Sequence, residues 1–158
     1  MERAARSASH EWCLLVRIGG HLCALPIRHV TETMRPQPVR AVGGAPPFVC
    51  GVSVIRGQPV PVVSGAIVCG ADTAPRPPAR FVSLKVADRL VALAVDEVIG
   101  VRLIDRVRLG SLPPLLAAAQ EQLISAIGLL DGELLVVLQS AALVSQEVLE
   151  AADEAVQP

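Results

Sequence analysis

The run Val16-Arg17-Ile18-Gly19-Gly20-His21-Leu22-Cys23-Ala24-Leu25-Pro26-Ile27 returns in character as Leu84-Lys85-Val86-Ala87-Asp88-Arg89-Leu90-Val91-Ala92-Leu93-Ala94-Val95. The offset is 68 (84 minus 16). A basic residue stands at 17 and 85, leucine at 22/90 and 25/93, and alanine at 24/92. In each copy a short turn stretch splits two aliphatic runs. A Gly-Gly pair permits the positive φ angles of a tight hairpin turn. Each run is therefore predicted to be a β-hairpin.

Two more hairpins extend the pattern. Ser53 to Ile55, Arg56-Gly57 and Pro59 to Val63 form one. Ile124 to Leu130, Asp131-Gly132 and Glu133 to Leu138 form the other, and Asp-Gly is among the strongest short hairpin signals. Placing Arg56-Gly57 over Asp131-Gly132 gives an offset of 75 (131 minus 56). Val60, Val62 and Val63 then fall on Leu135, Val137 and Leu138. A longer loop in the second copy absorbs the seven-residue difference. The chain thus reads as hairpin, connection, hairpin, written twice.

This predicts a mainly all-β domain over residues 11–150, with barrel-like halves at about 11–70 and 80–143. The proline-rich stretch Ala71 to Ala79 is the expected linker between them. Each half is short for independent stability, so a shared apolar seam is expected. Residues 1–10 and 151–158 are expected to be tails. Helix is scarce. Ser64 is a candidate N-cap for a short turn after Val63. Leu115 to Leu123 is a possible helix, and Val144, Val148 and Ala152 recur at the spacing of a C-terminal one.

Composition narrows the function. Hydrophobic residues make up 52% of the 158, but aromatics only 2%, so the core must be aliphatic. A net charge of -1 gives no overall field to gather nucleic acid or anionic lipid. Barrels that bind nucleic acid use basic grooves and aromatic platforms, and this chain has neither. No apolar segment has the length of a membrane span and no signal peptide is visible, which predicts a cytoplasmic protein without membrane insertion. Cys13, Cys23, Cys50 and Cys69 form no C-x-x-C pair and are expected as small buried hydrophobes rather than metal ligands.

No catalytic constellation appears, and no cofactor or metal is expected. Gly51-Val52-Ser53-Val54-Ile55 lacks the closing glycine of a nucleophile elbow. His10, His21 and His29 have no carboxylate partner in the pattern and are expected at the wet surface. Asp96-Glu97 reads as a solvated turn. One residue stands out: between Arg40 and Asp72 the only charged side chain is Arg56. A turn arginine facing water is the common case. In so aliphatic a setting it is also a candidate interface anchor, because its rigid fork of donors suits protein contacts.

Four segments together resemble the CheW family of chemotaxis coupling proteins, from about Glu11 to Leu149. Ala24-Leu25-Pro26-Ile27-Arg28-His29-Val30-Thr31-Glu32 is similar to the family's strand leading into a V-x-E stretch. Pro46-Pro47-Phe48-Val49-Cys50-Gly51-Val52 resembles its P-x-F-x-x-G-V approach. Ile55-Arg56-Gly57-Gln58-Pro59-Val60-Pro61-Val62-Val63 resembles its L-R-G core, the most specific piece. Leu130-Asp131-Gly132-Glu133-Leu134-Leu135-Val136-Val137-Leu138 resembles its late D-G hairpin.

The resemblance implies two five-stranded SH3-like barrels packed together, with short helices. It implies a non-enzymatic scaffold that joins the cytoplasmic tip of a methyl-accepting chemoreceptor to the regulatory domain of a CheA-type histidine kinase, at membrane-associated arrays. The partner-binding residues it implies are Val30, Glu32, Arg56 and Gly57, with Val98 in the equivalent stretch of the second copy. The chain departs from the family pattern at Val54, where asparagine is usual, at Ser64-Gly65 in place of Asp-Leu, and at Gln139-Ser140. An alternative is therefore a divergent adaptor that keeps one partner in a non-flagellar pathway. A more remote one is a small β-barrel enzyme or apolar-ligand carrier, which would need a closed cavity with convergent polar groups.

Overall fold

The computed structural model describes residues 10–45, 47–68, 78–86, 88–105, 109 and 124–138. Outside them lie most of the 71–79 linker, the helical candidates 115–123 and 141–155, Cys69, Gln139, Ser140, and the tails apart from His10. The described strands are β1 (His10–Ile18), β2 (His21–Pro26), β3 (Val30–Met34), β4 (Val49–Ile55), β5 (Gln58–Ser64), β6 (Arg80–Val86), β7 (Arg89–Val95), β8 (Glu97–Asp105), β9 (Ile124–Leu130) and β10 (Glu133–Leu138). A 3-10 turn, Ile27–His29, joins β2 to β3, and a short helix, α1 (Gly65–Val68), follows β5. The Ser64 Oγ accepts a hydrogen bond from the Ile67 N–H at 3.3 Å, as expected of an N-cap.

All four predicted hairpins form: β1–β2, β4–β5, β6–β7 and β9–β10 are antiparallel pairs. Their turns occupy left-handed backbone. Arg56 and Gly57 have φ of 51° and 76°, and Asp131 and Gly132 have 51° and 81°. Two successive positive φ values match the right-handed twist of the flanking strands.

The strands assemble into two five-stranded sheets, ordered β8-β1-β2-β10-β9 and β3-β6-β7-β5-β4. Mapping each strand of the first copy onto its second-copy equivalent converts one order into the other. The register obeys the same rule. Val16 pairs with Cys23, and Leu84 with Val91, each 68 positions on. Val54 pairs with Pro59, and Leu129 with Leu134, each 75 on. The parallel contacts repeat too, Val62 with Ala92 and Val137 with Ala24. Each sheet takes its leading hairpin from one copy and its remaining three strands from the other. Along the chain the repeat runs as β1–β5 and then β6–β10, whereas sheet membership is exchanged between the two copies.

Three apolar clusters follow from this exchange. Cys13, Leu15, Leu22, Ala24, Ile104, Leu135 and Val137 fill the first barrel, built on β8-β1-β2-β10-β9. Ile55, Val60, Val62, Phe81, Ala92 and Ala94 fill the second. The third cluster is the seam, where Leu14, Val16, Ile18, Cys23 and Leu25 meet Val63, Val82, Leu84, Val91, Leu93 and Val95. Alternate residues of β1, β2, β6 and β7 therefore face a barrel interior or the seam. Both faces are buried, which is why these strands read as continuous aliphatic runs without polar alternation.

Two expectations are corrected. Cys13 and Cys23 are buried, but Cys50 is exposed, because it points outward from the edge strand β4. Its thiol is still shielded enough for burial to push its pKa up. Of the histidines only His21 is exposed; His10 and His29 are half-buried, and His10 Nε2 lies 3.8 Å from the Asp105 carboxylate.

Candidate functional site

Val30 and Glu32 are two residues apart, so a regular strand would point both to one face. β3 is irregular there. Val30 pairs with Leu84 of the seam, whereas Glu32 pairs with Ser83, and the register shifts between them. The bulge re-aims Glu32 from the seam side to the mouth of the second barrel. β8 repeats the device: Val98 pairs with seam residue Val16, and Gly100 with Leu15 of the first barrel's interior. Val30 and Val98, 68 positions apart, are half-buried against the seam cluster.

Glu32 meets Arg56. The Arg56 Nε and Nη2 donate to Glu32 Oε1 and Oε2, both at 2.7 Å. This bidentate pair spans 24 residues of sequence and ties the β4–β5 turn to the opposite edge strand β3. Its hydrogen bonds and charge hold the Glu32 carboxyl below its ordinary pKa. The Arg56 side chain remains 79% exposed and that of Glu32 28%, so the guanidinium is the outward-facing half. Gly57 is exposed beside it. Of the five residues expected at a partner site, the structure brings Glu32, Arg56 and Gly57 together. It places Val30 and Val98 at the flanks of the seam.

The first barrel has a latch of opposite polarity. Asp131 occupies the turn position equivalent to Arg56 and accepts from Arg102 Nη1 of edge strand β8 at 2.7 Å. A further network holds β1 in the first barrel. Arg17 Nη1 and Nη2 donate to the Glu133 carboxylate at 2.6 and 3.2 Å, and Glu97 lies 4.0 Å from Arg17 Nε. Asp96 Oδ2 accepts from the Gly19 N–H at 2.7 Å, so the Asp96-Glu97 pair braces the β1–β2 turn as well as facing water.

Glu32 and Glu133 both have carboxyl pKa values lowered by a bidentate arginine. A depressed folded-state value contributes stability above the unfolded value, and that stability is lost as pH falls through the folded one. The midpoint of denaturant unfolding should therefore drop on acidification below the ordinary glutamate range. The double variant Glu32→Gln/Glu133→Gln should show a shallower acid slope. An unchanged slope would mean that other carboxylates control acid unfolding.

The sequence did not single out a third feature. Trp12, Val101 and Leu103 are exposed on one outer face of the first barrel, with Trp12 paired to Leu103 and Val101 to Leu14. They continue the seam row Leu14-Val16-Ile18 beyond the cover of the second barrel. The alternation Val101-Arg102-Leu103 and the one tryptophan of the chain were the available signals. Among the described residues no cluster of metal-ligating side chains occurs, and no helix is long and apolar enough to cross a membrane.

Comparison with known proteins agrees with this architecture. The family model described as CheW-like domain matches residues 13–148. No curated protein matches the sequence. Among solved structures, the scaffolding protein TtCheW from Thermoanaerobacter tengcongensis superposes with a TM-score of 0.71 at 20% identity, covering 82% of this chain and 88% of that one. The match over nearly the whole repeat, with two exchanged five-stranded sheets, leads to one assignment: the chain belongs to the CheW-like domain family.

Proposed function

We propose that the chain is a non-enzymatic scaffold of a chemosensory pathway, coupling a methyl-accepting chemoreceptor tip to the regulatory domain of a CheA-type histidine kinase. Besides family membership, one observation carries this reading. Glu32 and Arg56, distant in sequence, are presented as one exposed ion pair at the mouth of a barrel whose interior is filled by Ile55, Val60, Val62 and Phe81. A filled interior and an ordered polar rim suit contact with another polypeptide better than turnover of a small substrate. Val30 and Val98 at the seam, and the Trp12–Val101–Leu103 strip on the first barrel, supply further partly or fully exposed apolar surface. The protein would act in the cytoplasm and be recruited to receptor arrays, passing signal as a change in packing between its partners.

Calorimetric titration of the purified chain against a receptor tip fragment, and separately against the kinase regulatory domain, tests this. Saturable binding to both is expected. Binding to neither overturns the proposal. Binding to one alone supports the divergent-adaptor reading, which a specific observation favours: Val54, standing where the family usually has asparagine, is 67% exposed beside the Arg56 turn.

A further inference from the structure

Ser83 lies on β6, paired with Glu32 on one side and Ala92 on the other. It is 2% exposed, and its Oγ has no hydrogen-bond partner. Burying a hydroxyl without a partner is costly, so the position favours something that supplies one. The hydroxyl itself is buried, but the residue borders open space. Ser83 lines an open pocket at the mouth of the second barrel, with Glu32, Arg56 and Gln58 as polar neighbours and Ile55 and Leu90 as apolar ones.

The internal repeat provides a comparison within the molecule. Subtracting 68 from Ser83 and Leu90 gives Leu15 and Leu22, both buried in the first barrel's interior. Adding 68 to Glu32 gives Gly100. The equivalent mouth of the first barrel therefore has leucine in place of the serine and no carboxylate at that position. Among the described residues, a serine and a carboxylate at these two equivalent positions occur in the second barrel and not in the first.

We propose that this mouth receives the carboxamide of an asparagine or glutamine side chain from the docked receptor tip, with Ser83 as the specificity-determining residue; this rests on the scaffold reading above. The Glu32–Arg56 pair is already neutralised, so an entering charge would be repelled by one member or would break the pair. A carboxamide offers donors to the remaining Glu32 lone pairs and an acceptor to the Ser83 hydroxyl. Its short aliphatic stem suits Ile55 and Leu90.

The test is an NMR titration of the intact chain with propionamide, and in parallel with propionate and propylammonium. Propionamide alone is expected to shift the Ser83, Glu32 and Gln58 amides saturably, leaving those of Leu15 and Leu22 unmoved. Ser83→Ala should weaken that response about fivefold, as loss of one hydrogen bond does. Ser83→Leu, which copies the first barrel, should abolish it; if that variant does not fold, Ser83→Ala decides. No response, an equal response to all three probes, or an unaffected Ser83→Ala variant would overturn the inference. In a second arm, Ser83→Ala should weaken the receptor tip fragment by a similar factor. Unchanged fragment binding there overturns the inference and leaves the scaffold reading standing. No fragment binding by the unsubstituted chain, with the propionamide response intact, removes the scaffold reading and with it the assigned source of the carboxamide.

Discussion

Replacing Leu84 with alanine is expected to cost about 2–5 kcal/mol of global stability, the range for removing a fully buried leucine side chain. Leu84 is completely buried in the seam, opposite Val30 and Val91. Its neighbours belong to both barrels, so little can collapse into the space without disturbing one of them. Against a typical total of about 5–15 kcal/mol, such a loss is a large fraction. The topology adds a sharper expectation. Because each sheet contains strands from both copies, neither copy can unfold without withdrawing strands from both sheets. Denaturant unfolding of Leu84→Ala should therefore remain a single transition, displaced to lower denaturant with an unchanged slope. Two resolved transitions, or a loss well under about 1 kcal/mol, would show that the seam is not a core shared by both barrels.

That exchange was hidden in the sequence, whereas the hairpins were not. A hairpin is local: Gly19-Gly20, Arg56-Gly57 and Asp131-Gly132 announce turns, and the runs beside them must pair with their immediate neighbours. The repeat offsets of 68 and 75 also survived into the register, down to individual pairs such as Val16 with Cys23 and Leu84 with Val91. Which hairpin joins which sheet is a long-range choice. The parallel contacts of β2 with β10 and β5 with β7 leave no local mark, since all four strands are equally aliphatic. Cys50 departs from its expected burial for a related reason: its neighbours are apolar, but it lies on an edge strand, and edges are a property of the assembled sheet. The site was legible in part. Arg56 stood out as a lone charge and Glu32 through the V-x-E resemblance, but their pairing required the bulge in β3, which no residue type there specifies. Ser83 was not singled out, because a serine inside a strand has no sequence signature until its hydroxyl is found without a partner.

Reversing the charge of Arg56 should be the most damaging single change to recognition. Arg56→Glu places a carboxylate against Glu32, so the bidentate latch is replaced by repulsion. The side chain is largely exposed, and no buried contact depends on it, so the melting temperature should move little. Binding of the receptor tip fragment should fall by about thirtyfold or more, the scale of an interface anchor. Two explanations of such a loss compete. The guanidinium could touch the partner itself, or it could only hold the barrel mouth in shape. The double reversal Arg56→Glu/Glu32→Arg separates them, because it restores an ion pair between the same strands with inverted polarity. The first barrel already closes in that sense, with Asp131 on the turn and Arg102 on the edge strand at 2.7 Å. An inverted latch is thus compatible with this architecture. If the partner reads the positive charge at the turn, the double variant should fold as well as the unsubstituted chain and still bind weakly. Recovered binding would reduce Arg56 to a positioning residue. Normal binding by the single reversal would remove the β4–β5 turn from the interface altogether. Calorimetry on the three chains, with thermal melts beside it, distinguishes these outcomes.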